Sequence, residues 1–194
     1  MRKIAIAPMV LFLAGLSACN DTAVPYKEPV SFAGEQYTLN VAGVNVVDEY
    51  QSSKELPNVE LLSDITPAQA MRQWSDERLV AKGNTGRAEV VIKDAHIVQK
   101  SLPKKKSGVE GYFTTEQTQE LNGRLEVEIK IYDGISALPL AMVQASSESS
   151  MTLPENATIM DRNKAYHAIT VELVHRIEPP VVQGIQGHFG KFMM

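Results

Sequence analysis

Cysteine is nearly missing from this chain: Cys19 is the sole thiol in 194 residues. One thiol excludes an internal disulfide framework and a thiolate zinc site. Glycine (12) and proline (10) are too few for a disordered or collagen-like chain. Excess positive charge is also lacking. The formal net charge is −4 and the pI about 5.6, which argues against a general nucleic-acid binder. No G-x-S-x-G elbow, Walker loop or dinucleotide glycine pattern occurs. The four histidines are His96, His167, His175 and His188. His167 and His175 fall two helical turns apart, about 12 Å, too far to chelate one metal, and no pair has the i,i+4 spacing of metal-binding helices. These gaps predict a protein that is not an enzyme, with no cofactor and no metal. A hydrolase is the alternative, and nothing in the residue pattern selects it.

What is present begins at the N-terminus. Arg2 and Lys3 precede a mostly apolar stretch from Ile4 to Gly15, followed by Leu16-Ser17-Ala18-Cys19. A short basic region, an apolar region of this length and small residues before a cut site predict a signal peptide over residues 1–18. The stretch is too short to span a bilayer, which takes roughly 20 apolar residues. Leu16-Ser17-Ala18-Cys19 resembles the lipobox of bacterial lipoproteins, [LVI]-[AST]-[GA]-Cys, at every position. The resemblance implies that Cys19 receives diacylglycerol and becomes the first residue of the mature chain, with membrane lipid as its partner. Two or more acyl chains give durable attachment where one does not. Losing Arg2 and Lys3 leaves 17 basic against 23 acidic residues, a net of −6. Asn20 follows the cysteine where lipoprotein sorting in enteric-type bacteria reads Asp as inner-membrane retention. The resemblance therefore implies the periplasmic face of the outer membrane, with Asp21 leaving the inner membrane open.

The remainder, 44% hydrophobic overall, holds enough apolar residues for one core. Residues 19–36 read as the acylated N-terminus and a tether, residues 37–178 as the folded domain and residues 179–194 as a C-terminal tail. Residues 37–50 read as a strand with a bulge at Gly43. Thr66-Pro67 is a helix start, and a helix carrying Ala70, Met71, Trp74 and Arg78 is predicted to run to about Lys82. Trp74 suits packing on a sheet, a ligand platform being the sharper reading. Residues 86–102 are a strand with a phase change near Asp94. Residues 103–123 are a polar excursion. Residues 124–132 alternate strictly, with Leu125, Val127, Ile129 and Ile131 inward. Residues 138–153 alternate again. A second helix is predicted over about 156–177 and stopped by Pro179-Pro180.

This order predicts an α+β two-layer sandwich, β-α-β-β-β-α, with a mostly antiparallel four-stranded sheet and two helices on one face. One parallel or non-adjacent pairing is expected where the first strand crosses through a helix. Behind a lipobox, this topology over residues 37–177 resembles the LptE-type lipopolysaccharide-assembly lipoproteins and the auxiliary lipoproteins of ABC-type lipid transporters. The resemblance implies a non-enzymatic accessory in envelope assembly or lipid transport, the alternatives being an envelope-associated hydrolase or a lipoprotein of unknown structural role. Its partners would be an envelope membrane protein or transporter, with lipopolysaccharide or phospholipid as candidate ligand and no nucleic acid.

Two binding segments suggest themselves. Lys104, Lys105 and Lys106 either meet lipid phosphates or a partner's acidic rim, at about 1 kcal/mol per basic residue, or form a solvated loop. The tail places Ile185, Phe189 and Phe192 at helical spacing among Gly184, Gly187 and Gly190, which weaken a helix. A frayed or partner-ordered segment is expected there.

Overall fold

The computed structural model describes residues 26–103 and 117–194. Among the described residues are six strands and two long helices: β1 (Tyr37–Leu39), β2 (Val44–Asp48), α1 (Pro67–Arg78), β3 (Leu79–Ala81), β4 (Arg87–Ser101), β5 (Gln117–Tyr132), β6 (Ala141–Pro154) and α2 (Ile159–His188). The main sheet has the order β2-β4-β5-β6, and both helices lie on one side of it, an α+β fold. The sheet is mixed: β2 runs parallel to β4, whereas β4–β5 and β5–β6 are antiparallel. The parallel pair follows from the crossover through α1, because a strand that returns by way of a helix comes back in the same direction.

Alternation dictates the two faces of the long strands. On β5, Leu121, Gly123, Leu125, Val127, Ile129 and Ile131 are buried and the residues alternating with them are half-buried. The ladder slips between Ile92 and Asp94, the predicted phase change, so that Ala95 and Ile97 take over the buried side of β4. Trp74, fully buried, packs α1 into the main core.

Four expectations need correction. The first strand is two strands in two sheets: β1 pairs with β3, and β2 with β4. Around Gly43 the chain leaves one ladder for the other, with Ala42 N–H bonded to Thr85 and Gly86 carbonyls and the Gly43 carbonyl accepting from Ala88. Second, α1 ends at Arg78, because Leu79–Ala81 satisfy their main chain on β1 instead of extending the helix. Third, β5 begins at Gln117, so the second part of the 103–123 excursion is strand. Fourth, Pro179-Pro180 does not stop α2, which continues to His188.

The fourth correction has a clear physical cause. The carbonyls that lose donors to the two prolines belong to His175 and Arg176, four residues back on the exposed side of the helix. Beyond the prolines, Val181, Ile185 and Phe189 are fully buried. Each such side chain contributes roughly 1.5–3 kcal/mol on burial, so the three together offset a cost of about 3 kcal/mol for each of the two prolines. The chain end then closes on the domain: Asn40 N–H bonds to the Phe192 carbonyl at 2.7 Å and Met194 N–H to Thr38 at 3.0 Å. Residues 179–194 therefore complete the core.

Phe189→Ala is expected to lower unfolding free energy by about 3–5 kcal/mol, read from urea denaturation. Deleting residues 181–194 is expected to abolish the cooperative transition.

Candidate functional site

The residues expected to form a tether do something else from Tyr26 onward. Residues 26–36 lie as a strap along the groove between α1 and α2. Glu28 donates its N–H to Asp64 Oδ2 (3.1 Å), and Asp64 Oδ1 pairs with His167 Nδ1 (2.8 Å). The Tyr26 ring stands edge-on to His167, with centroids 5.7 Å apart. Its hydroxyl donates to the Glu28 carboxylate, and that bond pushes the phenol up to about 12. Further along, the Val30 carbonyl accepts from Gln73 (2.6 Å), and Phe32 N–H donates to Glu77 (2.5 Å). Phe32 is buried, edge-on to His175.

Arg78, the last residue of α1, closes the strap. Its Nε donates to the Glu35 carbonyl (2.7 Å), its Nη1 to the Phe32 carbonyl (3.2 Å), and its Nη2 meets Glu178 of α2 at 2.5 Å. The guanidinium also lies 5.7 and 5.9 Å from the Tyr37 and Trp74 ring centroids. A buried cation with this many partners ties three segments together, because leaving any of them uncompensated is costly. A Cβ at Gly34 would fall 2.6 Å from Arg78 Nη1, so glycine is needed for the close approach.

Asp64 titrates abnormally. Burial pushes its carboxyl up, but the hydrogen bond to His167, the main-chain N–H of Glu28 and the pull of the imidazole outweigh it and hold the group below its ordinary value.

A second polar cluster occupies the open face of the sheet. Arg124 reaches Glu148 (2.6 Å), Glu126 (2.8 Å) and Asp94 (3.6 Å), and Asp94 also meets His96 (2.7 Å). A cleft of about 400 Å³ lies over His96, Lys100, Asn122, Arg124, Glu148 and Arg176. Arg124 is shared by three carboxylates and Arg176 is paired with Glu172 at 2.6 Å, so neither guanidinium of the cluster is uncompensated. No group of three or more metal-ligating side chains occurs among the described residues, and no described helix is long and apolar enough to cross a membrane.

Cys19, Lys104, Lys105 and Lys106 lie outside the described residues. The chain leaves at Pro103 and returns at Gln117, at the end of the sheet where Arg162 of α2 bonds Gln119, the same end that receives Tyr26. Ile185 and Phe189 are in the core, and Phe192 is partly buried against it. They are corrected from binding residues to structural ones, for the reason given above for α2. The strap contacts went unread in the sequence. The available signal was Val30-x-Phe32, two apolar residues at strand spacing in a polar stretch, together with the shared side of His167 and His175.

Arg78→Leu is expected to free the strap, so that trypsin cuts at Lys27 in the otherwise folded variant and leaves the parent intact there. For Asp64 the folded value is depressed. Its contribution is therefore present above the ordinary carboxylate range and lost as pH falls through the folded value. The stability gap between the parent and Asp64→Asn should close on acidification below about pH 4, followed by urea melts.

No family model matches the chain, and no curated protein matches it. Among solved structures it is similar to protein XCC0632 from Xanthomonas campestris, described by the family model DUF330. The identity is 15%, the match covers 79% of this chain and 97% of that one, and the TM-score is 0.27.

Proposed function

We propose that this chain is a lipid-anchored, non-enzymatic accessory of the bacterial envelope that positions a membrane-protein or lipid-carrying partner in transport or assembly. The observation that carries this reading is the strap. Because the chain is fastened from Tyr26 onward, only the short segment from Cys19 to Tyr26 separates lipid from domain, at most about 25 Å of extended chain. A domain held so closely and by so many bonds meets the bilayer in a restricted orientation. Confinement near a membrane raises the effective concentration toward an anchored partner, into roughly the mM range.

The outer membrane, through Asn20, is the proposed address. The described chain breaks off at Pro103, at the end of the sheet where the strap begins, and this supports a role for Lys104, Lys105 and Lys106 in contact with lipid phosphates, lipopolysaccharide or phospholipid being the proposed ligand class.

Radiolabelled palmitate is expected to enter the parent and not Cys19→Ser, and the variant is expected to leave the membrane fraction; equal labelling of both would remove the anchor. Changing Lys104, Lys105 and Lys106 together to Ser is expected to weaken binding to vesicles containing lipopolysaccharide by roughly a hundredfold. Unchanged binding would remove the lysine segment from the ligand site.

A further inference from the structure

The strap begins among exposed apolar side chains. A single 3-10 turn, Glu60–Leu62, buries Val59 and Glu60 and leaves Leu61 and Leu62 (59%) in the open. Asp64, two residues on, holds both the Glu28 N–H and His167, so this turn abuts the first residues of the strap. Ile159 (78%) and Met160 are exposed where α2 starts. Met160 precedes His167 by seven residues, two helical turns or about 10 Å. Both therefore lie on one side of α2, the side that meets the Tyr26 ring.

Exposed apolar residues scattered singly are ordinary. Here four surround the first fastened residue of the strap, and basic groups stand among them. Lys164 and Tyr26 line one hollow with His167, and Lys27 is next to Tyr26 in the chain. Both lysines are exposed, and neither has an ion-pair partner among the described residues.

We infer that Leu61, Leu62, Ile159 and Met160, with Lys27 and Lys164, form a face that lies on a phospholipid bilayer. The four apolar side chains enter the boundary between headgroups and acyl chains, and the two ammonium groups meet lipid phosphates. Apolar residues mixed with lysine are what an interfacial surface requires. Tyr26 supplies the amphipathic ring that favours headgroup depth.

The choice of a lipid surface as occupant rests on the anchor reading above. Seven residues from Cys19 keep Tyr26 within about 25 Å of the bilayer. A second exposed apolar group, Ile135 (95%) and Leu138, follows the far end of β5, a strand of 16 residues that spans roughly 50 Å. One short anchor thus brings the face around Tyr26 to the membrane and leaves that hairpin pointing away. The lysines complement anionic headgroups, whereas residues 134–147 contain no charged residue.

The test uses the full, acylated chain in vesicles of phosphatidylethanolamine and phosphatidylglycerol. Leu62→Cys, Met160→Cys and, at the far end, Ile135→Cys are each labelled with an environment-sensitive thiol fluorophore, to which an acylated Cys19 is inert. All three side chains are exposed, so each variant is expected to keep the urea melt of the parent. Lipid carrying a nitroxide on its acyl chain is expected to reduce emission from positions 62 and 160 to about half and to leave position 135 unchanged, since interfacial side chains reach roughly 5–10 Å into the headgroup and acyl boundary. Leu61→Asp with Ile159→Asp is expected to remove that quenching while the protein stays in the membrane fraction. Unquenched probes at 62 and 160, equal quenching at 135, or probes shielded from water yet not quenched, the sign of residues 104–116 or a second copy on this face, would each overturn the inference. A parent that takes the fluorophore with no cysteine introduced reports a free Cys19, which is failure of the anchor reading. The three positions are then read in the Cys19→Ser background with vesicles added, where quenching at 62 and 160 alone upholds the face and its absence overturns it.

Discussion

The fold depends on one contact, the apolar stripe of α2 against the inner face of the sheet. Ile169, Leu173, Ile177, Val181, Ile185 and Phe189 recur every four residues, and all are fully buried. Gly123 of β5 sits directly under this stripe, where a Cβ would fall 2.8 Å from Leu173. Gly184 does the same from the helix side against Val143. The two glycines let helix and sheet approach at both ends of the contact, and close approach keeps the stripe in register across two prolines. Burial is continuous enough that losing two helical hydrogen bonds on the wet side does not end the helix.

From that contact the other features follow in order. With α2 fixed, its outer side offers His167, His175 and Glu178 in a line. α1 supplies Gln73, Glu77 and Arg78 opposite them. A polar segment with Val30 and Phe32 fills the groove between the helices, its carbonyls taken by Gln73 and Arg78. On the other side of the molecule α2 covers the inner face of β6, and no described backbone group pairs with the outer row of that strand. Strap and edge thus lie at opposite ends of one arrangement. His167 lies 17 residues before Gly184 on α2, so these features are separated by about 25 Å along the helix.

Much of the fold was legible in the residues. Period-two alternation at Leu125, Val127, Ile129 and Ile131 is a local signal, and it holds because each side chain is assigned to a face by the strand alone. Thr66-Pro67 capped α1 as local chemistry predicts, with Gln69 completing the capping box. The misreadings share a cause. The end of α1, the split of the first strand and the start of β5 are all places where a local preference competes with a partner distant in sequence. Leu79–Ala81 carry no mark that β1 will pair with them. The proline pair at 179–180 carries a strong local signal, which tertiary burial overrode.

The sequence by itself determined the class of fold, the faces of the long strands and the helix starts. These are set by spacing, capping and composition, which act over a few residues. Only the tertiary structure decided that residues 26–36 are a strap, that Ile185 and Phe189 belong to the core, and that Asp64 meets His167. Each of these joins segments far apart in the chain. The free energy of such a contact depends on which surfaces the completed sheet and helices leave uncovered, and no local pattern encodes that.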